Sequence, residues 1–262
     1  MKIKNITPIQ IFFFILLIVL VESILCQPQI DIVIKRQVAD FYPFKFCKLN
    51  LFSKFWQENG LVENIQSFFL LIAIIILLKV RRFYQNENKY INAFLLIHII
   101  GLIYYFGEEI SWGQHFFNWN SPEFFINFNN QNETNIHNIS NIFDQLPRTL
   151  VLVWCGLSVP FILIYNKFFD LKKKIFSLIC PNHKLLIVSL TLLFFVLPDL
   201  IIDKFDLHPG ASGIIDPFLY SAYFYDLISF NFLRLSELHE LIFSFYFFFY
   251  AYLINKSLKI LN

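Results

Sequence analysis

The sequence predicts an all-α fold: a polytopic bundle of about six transmembrane helices, with its longer loops on the outer face. Three observations carry that prediction. Of the 262 residues, 57% are hydrophobic and 19% aromatic, while charged residues make up 15%, well below the roughly one quarter found in soluble domains. Six apolar segments, at about 9–26, 60–79, 91–110, 149–167, 184–202 and 237–254, approach or exceed the ~18 residues needed to cross a bilayer. Lys and Arg are concentrated in alternate connections. A soluble core could not hide this many apolar stripes, so residues 1–262 read as a single integral membrane domain.

The first segment follows Lys2 and Lys4 and resembles a signal peptide or a signal anchor. Its apolar stretch continues towards Leu25 without a clean small-x-small cleavage site, Val21-Glu22-Ser23 being a weak one, so retention of residues 1–26 is the favoured expectation. The second segment is entered past Glu58 and Glu63 and leaves through Lys79, Arg81 and Arg82. His98 stands alone within the third, where a packing role is the expectation. A semi-polar stretch near 214–233 is broken by Asp216, Pro217, Asp226 and Arg234. It suits a re-entrant or interfacial helix that lines protein or water.

Orientation follows from the short connections. Residues 79–89 carry Lys79, Arg81, Arg82 and Lys89, and residues 167–184 carry Lys167, Lys172, Lys173, Lys174 and Lys184. The 111–148 loop has only Arg148, at its edge. The positive-inside rule therefore places both basic connections, and both termini, in the cytoplasm. One segment conflicts: 27–59 holds Lys35, Arg36, Lys45, Lys48 and Lys54, yet falls outside. The net charge of +2 gives no reason to expect a nucleic-acid partner; the bilayer is the expected one. The four cysteines (Cys26, Cys47, Cys155 and Cys180) show neither C-x-x-C nor zinc-ligand spacing. Cys26 and Cys47 would pair only on an oxidising side, and Cys155 and Cys180 read as packing residues.

The most informative stretch closes the third segment: Gly107-Glu108-Glu109-Ile110-Ser111-Trp112-Gly113-Gln114, followed by a polar loop with Asn129, Gln131, Glu133, Asn135, His137 and Asn138. Carboxylates at bilayer depth are costly and point to function by default. Glu108 and Glu109 also sit at the C-terminal end of their helix, where the dipole disfavours anions. Capping cannot account for them, so a metal, an arginine or a shared proton is expected to compensate. Arg148 and Arg234 are the available arginines.

With the deduced topology, Glu58, Glu63, His115, Glu133, His137, Asp199, Asp203, His208, Glu237, His239 and Glu240 gather on the same face. If helix continued through the motif, Glu108, Ser111 and His115 would share one side at i, i+3 and i+7. Glu237 and Glu240 share a side at i, i+3 in the same way. Glu108, Glu109, His137, His239 and Glu240 would suit a divalent cation. Without metal, the glutamates with Ser111 would serve acid–base chemistry. Bland readings stand beside these. Glu63 and Glu237 are placed to cap their helices. Trp112 and Trp119 suit an interfacial aromatic belt. No G-x-S-x-G elbow surrounds Ser111. Asn132-Glu133-Thr134 and Asn138-Ile139-Ser140 match the glycosylation acceptor pattern, which arises easily in an Asn-rich loop.

The run Gly107–Gln114, then Pro122-Glu123-Phe124, then Asn129, Gln131, Glu133, Asn135 and His137-Asn138 resembles the core of an uncharacterised family of bacterial polytopic membrane proteins. Glu58-Asn59-Gly60-Leu61-Val62-Glu63 is similar to the acidic start of the preceding helix in that family. The likeness covers about residues 56–140. It implies a bacterial inner-membrane setting and brings no reaction. A looser analogy links the polar face to membrane-embedded zinc amidohydrolases of the alkaline ceramidase type, although Glu237-Leu238-His239-Glu240 offers one histidine where those proteins have a pair. Two functions are expected from different classes. One is a metal-dependent hydrolase of a lipid or lipid-linked substrate, using Glu108, Glu109 and Ser111. The other is a non-catalytic transport component or complex subunit, in which the acids form an ion-pair or cation- and proton-binding network.

Overall fold

The computed structural model describes residues 7–26, 60–85, 88–117, 119–128, 134–136, 141–168, 179–204 and 235–261. All secondary structure among them is helical. Six helices coincide with the six apolar segments: α1 (Pro8–Cys26), α2 (Leu61–Tyr84), α3 (Lys89–Glu109), α6 (Asn141–Phe168), α7 (Leu186–Lys204) and α8 (Leu235–Leu261). Two short helices, α4 (Gln114–Phe117) and α5 (Glu123–Phe128), lie between α3 and α6. Among the described residues, α2, α3, α6 and α8 contain spans long and apolar enough to cross a membrane, and α1 and α7 contain shorter apolar stretches.

The helix ends follow local chemistry. At α1, Thr7 and Gln10 form a reciprocal capping box: the Thr7 N–H donates to Gln10 Oε1 at 2.8 Å, and the Gln10 N–H donates to Thr7 Oγ1 at 3.4 Å. Pro8 occupies the first helical position, where its missing N–H costs nothing. Asn88 caps α3 by accepting from the N–H groups of Tyr90 and Ile91. Asn182 likewise caps the 3₁₀ turn His183–Leu185 that leads into α7. Glu63 and Glu237 fall in the first turns of α2 and α8, where the helix dipole favours an anion. Pro147 and Pro160 lie inside α6 and Pro198 inside α7, as membrane helices tolerate.

The chain divides into two compact units: Met1–Val62 with Leu193–His239, and Glu63–Leu192 with Glu240–Asn262. In the first unit Phe12, Val19, Val62, Phe195, Val196 and Leu238 are buried, as is the carboxylate-bearing Glu22 of α1.

The second unit is organised around α8. From Leu241 to Ile254 this helix is apolar on almost every side, a pattern that belongs in the middle of a bundle, and Ile242, Phe245, Tyr246 and Tyr250 are fully buried. Phe245 meets Phe69 of α2 edge to face, with ring centroids 5.2 Å apart. Tyr250 packs beside His98 of α3 and Trp154 of α6, and its hydroxyl donates to the Ile179 carbonyl. The Tyr246 hydroxyl lies 2.9 Å from Ser158 Oγ of α6. Ser189 of α7 donates to the Cys155 carbonyl of α6 at 2.6 Å. His98 follows its packing expectation: Nδ1 donates to the Phe94 carbonyl of its own helix, and the ring is flanked by Phe94 and Trp154.

Segment 27–59, Lys172–Lys174, residues 205–234, the glycosylation acceptors and Cys47 lie outside the described residues, as do the side chains of Cys26, His115, Asp199 and Asp203.

Candidate functional site

The motif Gly107–Gln114 is where α3 stops. The helix ends at Glu109, and the Ile110 N–H still reaches the Phe106 carbonyl at 3.2 Å. The next three residues then have positive φ: 44° at Ser111, 53° at Trp112 and 95° at Gly113. Two successive L-residues in the left-handed region cost about 1–3 kcal/mol each, a cost that neighbouring contacts must offset. The Gly113 N–H closes the turn on the Ile110 carbonyl at 2.8 Å. A helix through the motif, with Glu108, Ser111 and His115 on one side, therefore does not form. The reversal turns the backbone after Ile110 out of the α3 path, so the i, i+3, i+7 spacing has no helix to act on.

The reversal folds the Trp112 indole back onto α3. A Cβ on Gly107 would lie 3.0 Å from three carbons of that ring, so the absence of a side chain at 107 makes room for it. The indole Nε1–H then donates to Glu108 Oε1 at 2.7 Å. The other carboxylate oxygen, Oε2, accepts the backbone N–H of Ile136 at 2.7 Å. Glu108 is 6% exposed, so these bonds replace water that the carboxylate has lost. Charge-assisted bonds to a carboxylate are about twice as strong as neutral ones. They answer the helix dipole's penalty with N–H donors.

Gln114 repeats the arrangement one turn later. Its Oε1 accepts the Thr134 N–H at 2.7 Å and the Ser121 hydroxyl at 3.2 Å, and the Ser121 and Thr134 hydroxyls lie 3.2 Å apart. Segment 134–136 is thus held at two points, by Glu108 at the end of α3 and by Gln114 at the start of α4. Ser111, Ser121 and Asn135 are all buried beneath this seam.

A second polar group forms on the facing helices. Arg148 of α6 pairs with Glu240 of α8 at 2.8 Å. The Tyr105 hydroxyl of α3 donates to the Glu240 carbonyl at 3.3 Å, within electrostatic reach of Glu109, Glu240 and Arg148. Arg148 was expected, with Arg234, as a partner for Glu108 and Glu109, and it is found paired with Glu240. This group brings the C-terminal end of α3 together with the N-terminal ends of α6 and α8, as alternating crossings require.

Of the expected site residues, Glu108 lies in the seam, Glu240 pairs with Arg148, and Glu109 lies within electrostatic reach of the Tyr105 hydroxyl. Ser111 is 1% exposed, with its backbone at φ 44°. His239 is half-buried on α8, in the first unit. His137, like Glu133, lies outside the described residues, although it directly follows Ile136 in the chain. Among the described residues, no three His, Cys, Asp or Glu side chains are grouped so as to hold a metal ion. Sequence reasoning overlooked Tyr105 and Ser121. Tyr105 was detectable, because it shares the Glu109 side of α3 at i, i+4. Ser121 was not, because its partners at 114 and 134 meet only through the folded loop.

No protein-family model, curated protein or solved structure matches this chain.

Proposed function

We propose that the protein is a non-catalytic multi-pass membrane component, a subunit or part of a transport assembly, whose acidic motif holds a loop in one shape. The observation that carries this reading is that each oxygen of the Glu108 carboxylate accepts an N–H, one from Trp112 and one from Ile136. Both oxygens are engaged by N–H groups of the chain itself, one across the left-handed turn and one from 28 residues away, which supports a role in fixing the loop; each oxygen keeps a further lone pair. The Arg148–Glu240 pair supports the same reading, because a second acid of the expected ligand set is engaged by a cation of the protein. The seam holds segment 134–136 against the end of α3, so the face it presents would be the product on which a partner acts. The charge distribution and the family resemblance support a bacterial inner membrane with both termini in the cytoplasm.

The test is Glu108→Gln, with folded yield measured in membranes and in detergent. An amide offers one acceptor and one NH₂, so one of the two N–H donors would face another donor. A structural role requires a clear fall in folded protein. Normal yield and unchanged thermal stability would overturn the reading.

A metal-dependent lipid hydrolase is the second reading, on the observation that Glu108 is bonded to the N–H of Ile136, the residue that precedes His137 in the sequence. Elemental analysis of the purified protein decides it. Near-stoichiometric zinc, manganese or iron, lost in Glu108→Gln/Glu109→Gln at unchanged yield, would establish the enzyme reading in its place.

A further inference from the structure

The loop held by this seam exposes a set of aromatic side chains. Phe117 is 76% exposed, Trp119 40% and Phe124 57%. The Phe117 and Trp119 rings are stacked 5.8 Å apart and within 7° of parallel. They close over the backbone at Gly113, where an added Cβ would lie 3.2 Å from the Trp119 ring and 3.3 Å from the Phe117 ring. The Ser121 bond to Gln114 fixes the far side of the turn, and the Phe125 N–H closes on the Pro122 carbonyl at 2.9 Å to start α5. These rings are therefore held outward by an ordered frame. Aromatic surface displayed in this way marks an interaction face.

We infer that residues 114–125 form an aromatic wedge seated in the membrane–water interface, and that its partner is the lipid leaflet at the C-terminal end of α3. Continuity with the membrane-facing surface of α3 identifies the occupant. Ile97, Ile100 and Ile103 form an exposed apolar stripe along that membrane-length helix, and the half-exposed Trp112 ring, folded back over Gly107, adds aromatic surface at its last turn. The wedge begins two residues after Trp112 and is kept near the end of α3 through segment 134–136, whose Thr134 N–H is bonded to Gln114 and whose Ile136 N–H is bonded to Glu108. Trp and Phe are the residues that settle at this depth, with ring area in the acyl boundary and polar edges in the headgroups.

Charge specifies the lipid chemistry. Between Ile110 and Phe128 there is no Lys or Arg, and Glu123 is the one carboxylate. The wedge has no cation with which to draw in anionic headgroups. Its insertion is driven by ring burial, so it takes zwitterionic lipid as readily as anionic lipid.

Spin labels test this on the full chain reconstituted in vesicles. One variant carries Phe124→Cys and a second carries Glu123→Cys, each in a background with Cys26, Cys47 and Cys180 changed to Ser; Cys155 stays, being buried. Collision with oxygen is compared with collision with a water-soluble nickel chelate, in pure phosphatidylcholine and with phosphatidylglycerol added, at low and high salt. The expected result is a several-fold excess of oxygen over nickel access at 124, a smaller ratio at 123, and no response to lipid charge or salt. Free nickel access at 124 would place the wedge in water and overturn the inference. Low access to both reagents at 124, relieved when the protein is diluted in lipid, would show a second copy covering the rings and would also overturn it. The Glu123 label keeps the test valid if substitution of Phe124 perturbs the loop, because a seated wedge requires the nickel access of position 123 to fall on reconstitution from detergent into vesicles.

Discussion

The indole of Trp112 lies so close over Gly107 that a methyl group on 107 would come within 3.0 Å of three of its ring carbons. The same indole donates its N–H to Glu108, the residue that follows Gly107. The glycine, the acid and the tryptophan are thus one device, in which the ring covers the carboxylate it bonds.

Gly107→Ala is accordingly expected to destabilise the protein by about 1–3 kcal/mol, the usual cost of forcing a methyl group into an occupied space. Gly101 lies on the same helix with nothing within 4 Å of an added Cβ. There, Gly→Ala is expected to stabilise by up to about 1 kcal/mol, through helix propensity alone. Thermal unfolding of the two variants in one detergent checks the opposite signs. Stabilisation in both would show that the ring does not need the space.

Glu108→Gln leaves one N–H donor facing an NH₂ in a buried site. The expected loss is about 1–3 kcal/mol for the orphaned donor. Glu108→Ala is expected to lose more, because it orphans the Trp112 and Ile136 N–H groups together. Trp112→Phe keeps the ring and removes one donor, and is expected to fall between wild type and Glu108→Ala. That order in thermal midpoint is the measurement, and a Trp112→Phe variant no less stable than wild type would remove the indole bond from the account.

The Arg148–Glu240 pair is partly exposed, its side chains retaining 32% and 17% of their surface. Its coupling is expected between that of a surface pair and a buried one, at about 1–2 kcal/mol. A double-mutant cycle with Arg148→Gln and Glu240→Gln measures it. Additive effects would show that the pair contributes nothing.

Cys180 lies between the spans, and burial pushes its thiol above the ordinary cysteine range. The folded thiol therefore binds its proton more tightly than the unfolded one. The small stability this contributes is complete below the unfolded thiol's pKa and is lost as pH rises through the raised value. Alkylation in the native state is expected to be slower than in denaturant at pH 8, with the two rates converging at more alkaline pH. Equal rates at pH 8 would place the thiol in open water. Cys155, fully buried, is expected to resist the reagent until the protein unfolds.

The sequence by itself determined that the apolar segments are helices and roughly where each lies; α6 and α8 extend past the expected 149–167 and 237–254 to Asn141–Phe168 and Leu235–Leu261. Apolar runs of membrane length have one way to satisfy their backbone groups in lipid, so the six segments had to be helical. It also located the polar motif, because acids at the C-terminal end of an apolar helix have no local explanation. Tertiary structure alone decided what answers those acids. The choice between metal, arginine, proton and N–H donor depends on which atoms reach a carboxylate from far along the chain, as Ile136 reaches Glu108 from 28 residues away. Nor did the sequence show the left-handed turn at Ser111 and Trp112. Neither residue favours that conformation, so the turn exists because the folded contacts of Trp112 and Gln114 outweigh its local strain.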